Sequence, residues 1–122
     1  KSKLADNGIL ITQSGSPYYA TKAFYCIEKT LRAAGFKTLP MHNQVLTLGE
    51  WGWIIGTKQT ITEHQLAQVD VSSLQLKWFT NNSINQITSF GKPLVDTTGI
   101  KINTIFTPKL YTYYKQGNWD LY

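Results

Sequence analysis

The chain has 122 residues, enough for one compact domain and too few for two. With 42% hydrophobic and 16% charged residues it has the composition of a globular protein rather than a disordered one. The formal charge is +5, from 12 Lys and Arg against 7 Asp and Glu, but the basic residues are scattered and Arg32 is the only arginine. A nucleic-acid footprint needs clustered cations, and bidentate phosphate or guanine contacts need arginine, so nucleic acid is not an expected partner. Cys26 is the single cysteine, which excludes an internal disulfide and fits a reducing compartment. No apolar run approaches the roughly 20 residues that span a bilayer, and residues 1–20 lack a signal-peptide core.

In chain order, residues 1–6 resemble the last turn of a helix ending at Asn7-Gly8. A helix of so few residues is unstable alone, so the natural chain is expected to start earlier. Residues 8–12 form a short apolar run rich in β-branched side chains, read as a strand of a parallel sheet buried on both faces. Gln13-Ser14-Gly15 follows as a polar loop at the carboxyl end of that strand, the edge where open α/β sheets bind ligands. Ser16-Pro17 is a helix start, with Ser as N-cap and Pro in the first turn. Ala20, Ala23, Phe24, Ile27, Leu31 and Ala34 then make one apolar stripe, and Gly35 stops the helix. Within it Cys26 reads as inert core.

Residues 36–45 and 51–57 read as two antiparallel strands, the first near a sheet edge because of Pro40. Their connection, Leu46-Thr47-Leu48-Gly49-Glu50, is too apolar for a solvated turn and is expected to fold over something. Residues 58–73 read as a polar surface connection, and 74–79 as a short strand or extended arm. Thr80 caps a helix running to about Phe90 and ended by Gly91-Lys92-Pro93, with Ile84, Ile87 and Phe90 buried. Residues 94–105 are loop-like, with a turn at Thr97-Thr98-Gly99. Thr107-Pro108 opens a last helix over 109–116, stopped at Gly117.

One cysteine and two distant histidines, His42 and His64, make no metal site. Phosphate-loop and nucleophile-elbow signatures are missing, and a Ser14–His42 pair would lack an orienting acid. No catalytic constellation is complete. Two residues stand out as substrate contacts. Gln13 carries an amide able to donate to, and accept from, an amine. Glu50, between Gly49 and Trp51, could pair with an ammonium whose methylene chain lies over Trp51 or Trp53.

The segment Gly-Ile-Leu-Ile-Thr-Gln-Ser-Gly-Ser-Pro-Tyr-Tyr (8–19), the Ala-Gly-Phe helix end (34–36) and the loop Thr-Leu-Gly-Glu-Trp-Gly-Trp (47–53) resemble the spermidine synthase (polyamine aminopropyltransferase) family. They are most similar to its membrane-associated class. Leu76-Lys77-Trp78-Phe79-Thr80, Ile102-Asn103-Thr104 and 109–115 resemble that class's C-terminal segments. The resemblance implies an α/β fold: the C-terminal half of a Rossmann-like (methyltransferase-type) sheet with a terminal antiparallel hairpin, followed by a mostly helical extension. Residues 1–58 would belong to the aminopropyltransferase domain and 59–122 to the extension packed on it.

The implied reaction moves an aminopropyl group from decarboxylated S-adenosylmethionine to putrescine. The catalytic aspartate and the cofactor motif would lie upstream, so no catalytic residue is expected in this chain. Alone it is expected to bind no cofactor and to be inactive. The substrate-contact set is Gln13, Glu50 and Trp51, with no metal. Against the family pattern, Gly15 stands where an acid often follows the glutamine, and Leu46 stands where soluble members carry a tyrosine. Expected partners are a polyamine, the remainder of the catalytic domain and a second copy, on the cytoplasmic side, with any attachment to the cell membrane made outside this chain. Two other readings remain open: a non-catalytic interaction module, and a methyltransferase-like enzyme with another amine acceptor.

Overall fold

The computed structural model describes residues 1–91 and 96–121, without the side chain of Leu121. Its elements are β1 (Ile9–Gly15), α1 (Thr21–Ala33), β2 (Lys37–Val45), β3 (Gly49–Thr57), α2 (Glu63–Ala67), α3 (Asn81–Ile87), α4 (Leu110–Lys115) and a closing 3-10 turn, Trp119–Leu121. The strands form one sheet in the order β1-β3-β2. Both outer strands run antiparallel to β3, so β1 and β2 are parallel to each other across it. This is the α/β arrangement of part of a methyltransferase-type sheet, closed by the hairpin β2–β3.

Register explains how the core forms. Thr12, Ile54 and Pro40 share one row of the sheet, and Ile11, Ile55 and Leu39 the next. Successive rows face opposite sides. On the first side Ile54 is fully buried, together with Phe24 and Cys26 of α1. Gly52 lets the two elements meet, because a Cβ there would lie 2.5 Å from the Phe24 ring and 2.9 Å from the Gly15 carbonyl oxygen.

On the other side Ile55 and Leu39 are buried, but Ile9 and Ile11 are 56% and 60% exposed. The expectation of a parallel strand buried on both faces is therefore corrected. β1 is an antiparallel edge strand, and one of its faces is uncovered among the described residues. Continuous apolarity did not distinguish a strand buried on two sides from one buried on a single side.

Ser16 does cap a turn, since its Oγ accepts from the Tyr18 and Tyr19 backbone N–H groups at 3.2 and 3.1 Å. The turn closes with Ala20 N donating to Ser16 O, and the regular helix begins only at Thr21. A polar feature that periodicity does not reveal lies inside α1. Glu28 is buried, and its carboxylate accepts from Arg32 at 2.6 Å and from Thr38 Oγ1 of β2 at 3.1 Å. Two donors compensate the burial of this charge.

The bounds of the 46–50 connection are also corrected: Gly49 and Glu50 already pair with Val45 and Gln44 as part of β3, leaving a turn at 46–48 in which Leu46 is 82% exposed among the described residues. The polar 58–73 stretch contains α2, started by a capping box between Thr62 and Gln65. Residues 74–79 form no strand and run as irregular backbone with bends, and Leu74, Leu76 and Trp78 are exposed. Thr80 caps α3 as expected, with Ser83 as its reciprocal partner, but the helix ends at Ile87 rather than Phe90. The stop at Gly91-Lys92-Pro93 lies partly outside the described residues; Gly91 itself has φ +65°.

Thr107-Pro108 does not cap the last helix. α4 begins after Lys109, whose side chain makes no capping bond. The cap comes instead from Asn103, and Lys29 of α1 donates to the Ile100 carbonyl at 3.0 Å, so the 97–110 segment is fastened across α1.

Candidate functional site

A cleft of about 580 Å³ opens beside the carboxyl end of β1, within the roughly 300–1,000 Å³ typical of small-molecule sites. Gln13, Ser14 and Gly15 form one wall, with Trp51 beside them. Ala23 and Ile27 of α1 form the floor. The opposite wall is α4, through Leu110, Tyr111 and Tyr114, continued by Pro108 and Asn103. No Asp or Glu is among these lining residues.

Local geometry explains this opening. The β1–β3 register shifts between Gln13 and Gly15, so the strand breaks its pairing pattern there. Gly15 takes φ +73°, a left-handed backbone that suits glycine. A Cβ at Gly15 would lie 3.9 Å from Tyr114 Cε2, so this ring sits directly over the end of the strand. Gln13 is exposed, and its amide makes no hydrogen bond with the described residues. It is not spent on capping the loop.

The aromatic side of the cleft is braced from the C-terminus. Trp119 packs at a tilt against Tyr114 with ring centroids 4.5 Å apart, and its Nε1 donates to the Tyr114 carbonyl at 2.8 Å. Trp119 also lies 6.5 Å from Trp51, so the two aromatic walls are linked. Asn118 N donates to the Tyr19 carbonyl at 2.7 Å, fastening this tail to the turn before α1. Tyr111 already holds a cation, with Lys115 Nζ 5.5 Å from its ring centroid. The surface is thus one on which ammonium groups and methylene chains rest favourably.

Of the three expected contacts, Gln13 and Trp51 come together in this cleft and Glu50 does not. Residues 50 and 51 are consecutive in a strand, and alternation sends their side chains to opposite sides. The Glu50 carboxylate instead accepts from His42 Nδ1, its diagonal neighbour on β2. His42 Nε2 donates to the Ser89 carbonyl at 2.8 Å, and the ring packs edge-on against Tyr18 and tilted against Phe90. This cluster joins the hairpin to the residues after α3. It also raises Tyr18 above the ordinary phenol value, through burial first, then the Glu50 charge and Tyr25.

A Ser14–His42 pair does not form: Ser14 is buried and donates to Thr12 O, while both His42 nitrogens have other partners. Burial likewise raises the Cys26 thiol, which is unfavourable for a nucleophile. Among the described residues no three His, Cys, Asp or Glu side chains converge on a metal position. Asn103, Tyr111 and Tyr114 were not anticipated as cleft residues. They lie 90 to 101 positions from Gln13, and only the tyrosine-rich run before Gly117 hints at an aromatic surface.

A three-strand α/β sheet with an amide- and aromatic-lined cleft at the end of β1 is consistent with part of a methyltransferase-like fold. No model of a known protein family matches the chain. It is, however, 36% identical over 119 residues to the polyamine aminopropyltransferase of Shewanella oneidensis, a match covering 96% of this chain and 21% of that protein. It is 32% identical to polyamine aminopropyltransferase 2 of Aquifex aeolicus, over 97% of this chain and 23% of the relative. The Leptospira interrogans polyamine aminopropyltransferase is 29% identical over 98% of the chain and 23% of its own length. The chain therefore belongs to the polyamine aminopropyltransferase (spermidine synthase) family and corresponds to the C-terminal part of these relatives. It spans about a fifth of the length of the curated relatives it matches.

Proposed function

We propose that this chain forms the amine-binding wall of an aminopropyltransferase that uses decarboxylated S-adenosylmethionine and putrescine, or a similar diamine. The observation that carries this reading is Gln13: an amide without a hydrogen-bond partner among the described residues, exposed in an aromatic cleft at a strand's carboxyl end. Its carbonyl would accept from the amine N–H and hold the nitrogen lone pair toward the second substrate. Trp51, Tyr111 and Tyr114 would cover the methylene chain and exclude water. In the step itself the amine lone pair forms a nitrogen–carbon bond at the carbon next to the sulfonium. The carbon–sulfur bond breaks, methylthioadenosine leaves with the electron pair, and the amine proton passes to a carboxylate elsewhere in the catalytic domain.

The amide and the aromatic faces of the lining suit an amine and its methylene chain in either protonation state, so deprotonation of the reacting nitrogen is left to a base outside this lining. The base and any anionic anchor for the far ammonium would belong to the remainder of the domain, as would any membrane attachment of a protein working on the cytoplasmic side. Among the described residues no helix is long and apolar enough to cross a membrane. Calorimetric titration of the protein in its full-length natural form with putrescine and methylthioadenosine tests the reading. Saturable putrescine binding, strengthened by methylthioadenosine, is the expected result; absence of putrescine binding refutes it.

A further inference from the structure

Lys109, the residue before α4, provides no side-chain cap, yet the first N–H groups of this helix are not idle. Asn103 Oδ1 accepts from Lys109 N at 2.9 Å and from Leu110 N at 3.0 Å. Asn103 is itself fixed to α1: its backbone N–H donates to Thr30 Oγ1 at 2.9 Å, and that hydroxyl donates to the Cys26 carbonyl at 2.6 Å. One residue thus joins the two helices, its carboxamide holding the start of α4 and its backbone N–H holding α1, the helix that floors the cleft. The far end of α4 is held separately, by Trp119 against Tyr114. Between the two clamps lie Tyr111 and Tyr114, opposite Gln13 and Gly15. A short helix carries little stability of its own, so its position follows its clamps.

We propose that Asn103 is a positioning residue that, acting through Tyr111 and Tyr114, sets the width of the cleft and so the length of amine acceptor it takes. The proposal rests on the amine-binding reading above. The chemistry fits the role: the clamp needs only a side-chain oxygen accepting two backbone N–H bonds. Aspartate keeps that acceptor, and leucine, of similar shape, removes it. An added carboxylate raises the absolute affinity for cationic diamines, so the ratio between diamines, not that affinity, reports on width.

The test uses the protein in its full-length natural form, with 1,3-diaminopropane, 1,4-diaminobutane and 1,5-diaminopentane titrated separately by calorimetry. Hydrogen exchange is followed at residues 109–114. Asn103→Leu is expected to lose amide protection there and to reduce the preference for the best diamine over the next by about fivefold, the size of a lost cap. Asn103→Asp is expected to retain both protection and preference. Should Asn103→Leu fail to fold, Thr30→Val, which frees the Asn103 backbone by a different route, is held to the same criteria. Loss of protection with an unchanged ratio overturns the proposal and leaves the amine-binding reading standing. Unchanged protection in Asn103→Leu overturns the clamp itself. Wild type that binds none of the three diamines removes the reading on which the proposal rests.

Discussion

Gln13 and Glu50 show how one strand position decides a role. Glu50 lies beside Trp51 in sequence, but β3 begins at Gly49, so alternation turns Glu50 away from the cleft and onto His42. Replacing Glu50 with Leu leaves a donor nitrogen of a half-buried imidazole without its acceptor. The expected cost is about 1–3 kcal/mol, measured by chemical denaturation. The same variant should bind diamines as the wild type does, which separates a structural from a substrate-binding role. The place of Gln13 and Trp51 beside the end of β1 is legible because a glutamine after an apolar strand and a tryptophan beside glycine are local signals. The place of Glu50 outside the cleft is not, because the strand's first two residues read as loop: Gly49 is a poor strand former, and nothing local marks a turn as short as 46–48. Asn103 was invisible for a different reason. Its partners are backbone N–H groups six and seven residues away and a helix seventy positions earlier, and no periodicity encodes such a bond.

Among the elements, local chemistry locates a helix cap at Thr80 and fails where the cap comes from elsewhere in the chain. Thr80 was recognised as a helix start, and the Thr80–Ser83 box is present. Thr80→Ala should therefore cost about 1 kcal/mol in unfolding free energy, with the loss of exchange protection confined to α3. Val71 N and the Asp70 carboxylate are both bonded by the Asn81 side chain, which extends this junction to the preceding turn. Thr107-Pro108 carries the same signature without the function, because Asn103 already occupies the N–H groups that a threonine would satisfy. Apolar runs were less informative than caps. The residues 9–12 were correctly read as a strand, but only pairing with β3 shows which side is covered, and pairing partners some forty positions away are not written into the run itself.

For the molecule as a whole, the half-sheet and its hairpin were legible from motif order, whereas the cleft needed the fold, because its walls come from both ends of the chain. Two half-buried phenols make stability fall at alkaline pH. Tyr18 and Tyr25 are raised above the ordinary value near 10, Tyr18 by burial and then by Glu50, Tyr25 by burial and then by Glu28. Their native pKa values exceed the unfolded ones, so the stability they contribute is complete below the unfolded value and is lost as pH climbs through the folded one. Denaturation midpoints should fall above pH ~10, and the fall should flatten in the Tyr18→Phe, Tyr25→Phe double variant; an unchanged slope would show that other groups set the limit.

The central claim concerns Gln13 in the α4-walled cleft, and steady-state kinetics of aminopropyl transfer to putrescine test it most directly. With the full-length natural form, Gln13→Ala is expected to raise the KM for putrescine about tenfold or more, the loss of one hydrogen bond to an amine. The KM for decarboxylated S-adenosylmethionine should stay near the wild-type value. A putrescine KM unchanged by Gln13→Ala, or a wild-type protein that transfers no aminopropyl group, would contradict the account.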